Sequence, residues 1–107
     1  MKNDVVLFID TSDNKEISVG VQINGKKETI ERTLDTRKAQ AVLPMIDELL
    51  KKHGLDTRDI SSIKINEGPG SFTGLRVGAA IANTLSFSLK IPINGKKIGE
   101  FVEPVYE

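Results

Sequence analysis

Three groups of residues in this chain have types and spacings that could do chemistry. The first is Gly68-Pro69-Gly70-Ser71, which runs on into Phe72-Thr73-Gly74-Leu75-Arg76-Val77-Gly78. A glycine-rich turn that feeds a helix presents backbone N–H groups at the helix N-terminus, where an anion can be held. The stretch is not a Walker A loop, because no Lys follows the glycines. It also departs from the dinucleotide pattern, because Phe72 and Thr73 separate Gly70 from Gly74. A phosphate-binding module at 68–71 and a plain strand-to-helix turn are both open readings. The second group is Asp10 and Glu67, two carboxylates that each close an apolar run. They can serve as cation ligands or as turn and strand ends. The third is His53, the one histidine, in Lys51-Lys52-His53-Gly54. With no second His and no Cys it cannot anchor a transition-metal site, and cations at that point suit a helix C-terminus.

The elements that position these residues follow from periodicity. Val5 to Ile9 is a continuous apolar run, as in a strand buried on both faces in the middle of a sheet. Ile17, Val19, Val21 and Ile23 alternate with polar or small residues, which predicts a half-buried strand. Asn24-Gly25 then predicts a type I′ hairpin turn into a third strand, Lys27 to Thr33. Its Lys and Glu residues suit a sheet edge. A helix is predicted from a cap at Asp35 or Thr36 to about His53, with Ala39, Val42, Leu43, Ile46, Leu49 and Leu50 as its apolar stripe. Ile63 and Ile65 mark a short strand, 72–89 a second helix, and Ile91-Pro92-Ile93 a last strand at an edge. The order β-β-β-α-β-α-β predicts an α/β fold of the ribonuclease H-like class, the unit duplicated in actin-like ATPases. We expect one domain over residues 1–95 and a short, weakly structured polar tail over 96–107, with a short strand around Val102 to Tyr106.

Composition narrows the classes. The 107 residues carry 15 basic and 15 acidic side chains, so binding to nucleic acid or membrane through net charge is not expected. Cys is absent, which excludes disulfides and Cys-based metal sites. No apolar run approaches the ~20 residues of a membrane span, and the N-terminus does not read as a signal peptide. A cytoplasmic location is expected. The one local imbalance is 68–99, where Arg76, Lys90, Lys96 and Lys97 stand without an acid. A nucleic-acid-facing patch there lacks the aromatic interleaving that would support it.

The second helix is unusual. Gly74, Gly78, Ala82 and Ser86 recur every four residues and leave one face almost bare. Each Gly costs a helix roughly 1 kcal/mol against Ala, so two of them need a reason. Close approach of another helix, from this chain or another, would supply it. Leu75, Ile81, Leu85 and Leu89 are then expected to cover the sheet.

Gly68 to Gly78 resembles the signature of the TsaB (YeaZ-type) family. Ile9-Asp10-Thr11-Ser12, Leu43-Pro44-Met45-Ile46 and Ile91-Pro92-Ile93-Asn94-Gly95 agree with it in order and spacing, so the resemblance covers roughly residues 4–98. It implies a cytoplasmic, non-catalytic dimerisation and support subunit for threonylcarbamoyladenosine synthesis in tRNA, at the adenosine beside the anticodon. It also implies pairing with a TsaD-type catalytic subunit, a TsaE-type ATPase that joins the complex, tRNA contact only through that complex, and a homodimer when the chain is alone. Pairing in the family runs through the two helices. That places Met45, Gly74, Arg76, Val77, Gly78, Ala79 and Ala82 at the expected interface. No catalytic, cofactor-binding or metal-binding residue is expected. The family carries a second domain that this chain does not reach, so the interdomain nucleotide cleft of the fold is not expected here. The stretch Lys96-Lys97-Ile98-Gly99-Glu100 lacks the His-rich metal motif of the catalytic relative. The reading from another class is a metal-dependent ribonuclease H-like nuclease using Asp10 and Glu67.

Overall fold

The apolar run VVLFI builds β1 (Val5–Asp10), which lies between two neighbours. On one side is β2 (Glu16–Ile23), antiparallel, and beyond it β3 (Lys26–Thr33). On the other is β4 (Ser62–Ile65), parallel to β1. The sheet order is β3-β2-β1-β4. Helices α1 (Lys38–Lys52) and α2 (Phe72–Leu89) supply the crossovers. The structure, a computed structural model, describes residues 4–13, 15–33 and 38–104. The expected helix cap at Asp35 or Thr36 lies outside them. Among the described residues no helix is long and apolar enough to cross a membrane. The β2–β3 turn is the one the sequence predicts, with positive φ at both Asn24 (50°) and Gly25 (91°).

Register decides which side chains share a face. Leu7 pairs with Val21 and Ile63, and Ile9 with Val19 and Ile65, so these point to one side. They form a single core with Val42, Met45, Ile46, Leu49 and Leu50 of α1 and with Ala79 and Ala82 of α2. The opposite face carries Phe8, Asp10, Ser18, Thr29 and Lys64 and is not part of that core.

Two helical stripes differ from expectation. On α1 the buried positions are 42, 45, 46, 49 and 50, a regular 3–1–3–1 spacing, so Met45 belongs to the core and Leu43 is 51% exposed on the outer side. On α2 the small face turns inward. Gly74, Leu75, Gly78, Ala79, Ala82 and Ser86 are buried, while Ile81, Leu85 and Leu89 are only partly so. The cause is close approach to the end of β1. The Thr11 hydroxyl donates to the Gly74 carbonyl at 2.6 Å, and a Cβ on Gly78 would lie 2.4 Å from Thr11 Oγ1.

The expected last strand shrinks to one bridge, Ile63 with Ile93. Asn94 turns away in the left-handed region (φ 49°), and its side-chain amide takes over the pairing. Its Oδ1 accepts from Ile65 N at 2.9 Å and its Nδ2 donates to Ile65 O at 3.2 Å. Beyond it the described residues are held at one point. Val102 is buried, and Asn83 of α2 exchanges two hydrogen bonds with its backbone, at 2.9 and 3.1 Å. The expected strand at 102–106 does not form over 102–104, where the amide of Asn83 does the pairing a strand neighbour would do. The remainder of that stretch lies outside the described residues.

His53 sits in the turn after α1, where its backbone N–H donates to Leu50 O. Its ring also reaches β3. Glu28 takes Lys52 Nζ on one oxygen and lies 3.0 Å from His53 Nε2 with the other. The Lys52 ammonium, and after it His53, holds the Glu28 carboxyl below the usual carboxylate range.

Two outcomes follow. Gly78→Ala should destabilise the fold by about 1–3 kcal/mol, because a methyl group against a hydrogen-bonded, buried Thr11 overpacks the site. That outweighs the roughly 1 kcal/mol that Ala gains in helix propensity. Thr11→Ala should recover part of the loss in the double variant, read by urea denaturation of all four proteins. The Glu28 clamp should show in the pH profile. A carboxyl with a lowered folded pKa contributes stability above its unfolded pKa and loses it as pH falls through the folded value. Wild type should therefore lose more stability than Glu28→Gln between about pH 5 and pH 3. Parallel profiles would show that the clamp contributes nothing.

Candidate functional site

The turn after β1 and the Gly68–Ser71 loop meet at the C-terminal ends of β1 and β4, and hydrogen bonds tie them together. Asp10 Oδ1 accepts from the Ser12 amide (3.0 Å) and the Ser12 hydroxyl (2.6 Å). Asn66 donates to Ser12 Oγ at 3.0 Å and, at a longer 3.4 Å, to Asp10 Oδ2. Asn66 Oδ1 in turn accepts from Gly68 N. Ser71 N donates to Ser12 O at 2.7 Å, and Gly70 packs so closely that a Cβ there would lie 2.7 Å from Ser12 Cβ. Ser71 also caps α2, its hydroxyl accepting from Gly74 N at 3.3 Å.

This arrangement engages part of the loop's donor set within the chain. The amides of Gly68, Ser71 and Gly74 are spent on partners within the chain. The loop is a clasp on the β1 turn, and those three donors are not presented to an anion. Asp10 closes its turn, and Glu67 accepts from Asn94 Nδ2 at 2.6 Å. Among the described residues no three His, Cys, Asp or Glu side chains form a group that could hold a metal ion. Asp10 and Glu67 both accept hydrogen bonds from within the chain in this arrangement.

The other candidate is the outer side of the helix pair. Five of the seven expected interface residues, Met45, Gly74, Gly78, Ala79 and Ala82, are buried inside the chain. For the four on α2 the reason is the inward turn of the small face onto Thr11. Arg76 is exposed and Val77 half-buried, with the Arg76 guanidinium 5.4 Å from the Phe72 ring centroid. Beside them lie two adjoining hollows. One, of about 270 Å³, is lined by Leu43, Ala80, Ile81, Thr84 and Leu85. The other, of about 400 Å³, is lined by Thr73, Arg76, Val77, Ala80 and Ile81. Among the described residues, Arg76 is the one charged side chain lining either. Of the residues lining them, the sequence reading placed Leu43, Ile81 and Leu85 on core stripes and did not single out Thr73, Ala80 or Thr84. The available signal was the 42, 45, 46, 49, 50 spacing, which leaves Leu43 off the buried stripe.

The cations of 68–99 do not make one site. Arg76 is on the outer helix face, Lys90 is the left-handed C-cap of α2, and Lys96 and Lys97 lie in the turn after Ile93.

Comparison with known proteins fits this geometry. Residues 33–95 match the model of the family described as TsaD, tRNA N6-adenosine threonylcarbamoyltransferase. The chain is 39% identical over 93 residues to the Haemophilus influenzae tRNA threonylcarbamoyladenosine biosynthesis protein TsaB, covering 87% of this chain and 39% of that protein. The Escherichia coli TsaB protein is 32% identical over 90 residues, covering 84% of this chain and 38% of that protein. The solved structure of YeaZ from Pseudomonas aeruginosa superposes with a TM-score of 0.80 at 29% identity, over 88% of this chain and 44% of that one. The chain thus spans less than half the length of the curated relatives it matches. The matched span takes in α1, β4, the glycine clasp and α2, more than half of the residues, and the chain belongs to the TsaD family, with TsaB proteins among its relatives.

Proposed function

We propose that this chain serves tRNA threonylcarbamoyladenosine synthesis as a non-catalytic dimerisation and support subunit. It pairs through the outer faces of α1 and α2 with a TsaD-type catalytic subunit in the cytoplasm, and with a second copy of itself when that partner is absent. A TsaE-type ATPase joins the resulting complex. The similarity to TsaB proteins supports the pathway, and the outer helix face carries the mode of action. Leu43, Val77, Ala80, Ile81 and Leu85 border two contiguous hollows with Arg76 as the one charge. Apolar surface of that kind on a helix pair is what a partner helix pair can bury. A stable pairing would cover on the order of 1,200–2,000 Å² in total. The engagement of Asp10 and Glu67 in turn and strand-end hydrogen bonds supports the non-catalytic part.

The expected interface centre is Ala80–Ile81, not the buried Gly74–Gly78–Ala82 row. Ile81→Glu should leave the circular dichroism spectrum unchanged and convert a dimer to a monomer in sedimentation at roughly tens of micromolar. It should also abolish co-purification with the TsaD-type protein of the same organism. Ala82→Glu should instead unfold the chain, since its carboxylate would be buried without a partner. A wild type that is monomeric and captures no TsaD-type partner would refute the pairing. Nucleic-acid cleavage by the purified chain that disappears in Asp10→Asn would refute the non-catalytic reading.

A further inference from the structure

The face of the sheet that the helices leave uncovered has its own chemistry, assembled from strands far apart in sequence. Phe8 of β1 stands opposite Gly20 of β2 and Lys64 of β4. Gly20 has no side chain to raise the floor, and Lys27 of β3 folds across it, its Cε 3.3 Å from where a Cβ would sit. This brings the Lys27 ammonium to 3.8 Å above the Phe8 ring centroid, and the Lys64 ammonium reaches 5.9 Å from the same point. Neither lysine has a carboxylate within ion-pair distance among the described residues. A cation over a ring at an exposed site is weakly held, so both remain available to a stronger acceptor. One strand repeat further along, about 6.6 Å, the same depression offers Asp10, Ser18 and Asn66. There Asp10 Oδ2 receives, among the described residues, only the long 3.4 Å bond from Asn66, so it can accept another. The depression spans all four strands and has a volume of about 280 Å³.

We propose that this open sheet face binds the ribose–phosphate backbone of an RNA, with a phosphate between Lys27 and Lys64 and a ribose hydroxyl donating to Asp10. The inference rests on the reading that the chain serves tRNA modification, and it adds a direct RNA contact that the reading does not contain. The polarity of the face sets the orientation: the carboxylate repels phosphate and the ammonium pair attracts it. When the lysines turn to the phosphate, the Phe8 ring is uncovered, and a base can stack on it. The 2′-hydroxyl is the group that separates RNA from DNA at such a site. A protein segment would more naturally seek the apolar hollows on the opposite side.

The test is fluorescence anisotropy of the full chain with an unmodified tRNA anticodon stem-loop at several salt concentrations. Lys27→Gln/Lys64→Gln should weaken binding at least tenfold and lower the salt slope by roughly one to two. Phe8→Leu should weaken binding several-fold, the DNA of the same sequence should bind more weakly than the RNA, and Lys96→Gln/Lys97→Gln should bind as wild type. Circular dichroism checks that each variant is folded; both open-face lysines are exposed. Undetectable RNA binding, an equal loss in the Lys96/Lys97 variant, or equal affinity for DNA overturns the proposal. Displacement of the RNA by equimolar ADP or inorganic phosphate overturns it in favour of a small-anion site. Normal RNA binding by the open-face lysine variant together with lost capture of the TsaD-type protein overturns it in favour of a protein interface. If wild type captures that protein and binds no RNA, this inference fails alone. If it does neither, the pairing role fails with it.

Discussion

Helix α2 lies against the end of β1 at a distance that only glycine permits, and most of the architecture follows from that contact. Thr11 is buried, and its hydroxyl must find a partner; it finds the carbonyl of Gly74, one helical turn before Gly78. The hydroxyl can reach only if position 78 has no Cβ. The same approach draws the preceding loop onto Ser12, where position 70 must again be bare. Glycines at 70, 74 and 78, whose spacing at first suggests an anion cradle or a helix-pairing stripe, are thus consumed in closing the chain on itself. The roughly 1 kcal/mol that each helical Gly forfeits is offset by the packing and the buried hydrogen bond that it allows.

That contact also sets the rotation of α2. With Gly74, Gly78, Ala82 and Ser86 inward, the residues about half a turn away, Arg76, Ala80 and Thr84, must face solvent or a partner. Loops that lack strand partners are secured by side-chain amides. Asn66 ties the β1 turn to the glycine loop, Asn94 continues the pairing of β4 after Ile93, and Asn83 holds Val102. An amide carries a donor and an acceptor in one plane, so it can replace a backbone neighbour at an edge where the chain must turn.

The first four strands, their order along the chain and the extents of β2 and α2 were legible because each rests on a local pattern: alternation from Ile17 to Ile23, Asn24-Gly25, and a helix bounded by Ser71 and Lys90. What was not legible depends on pairs distant in sequence. Small residues every four positions report that something comes close, not what it is; Thr11 is 63 residues before Gly74. Leu43 reads as core by type, and only the packing of Val42 and Met45 turns it outward. Val102 reads as part of a polar tail because its partner is Asn83, an amide whose pairing carries no periodic signal. Phe8 and its two lysines were missed for the same reason. They are adjacent only through the sheet register, so a search for basic and aromatic residues along the sequence looks at 68–99 and finds nothing.

The two exposed surfaces are chemically unlike and lie on opposite sides of the molecule. The outer helix face is apolar, with Arg76 at its margin. The open sheet face is polar, with two ammonium groups over one ring and a carboxylate a strand repeat away. Burial of the first against a protein removes apolar area from water and needs no charge partner. Occupation of the second replaces hydrated ammonium groups by contacts to an anion and depends on salt. Because β1 separates them, with Leu7 and Ile9 on the helix side and Phe8 and Asp10 on the other, neither occupant need displace the other. A single strand with alternating inward and outward residues therefore lets a 107-residue chain present an apolar side and a cationic side around one core.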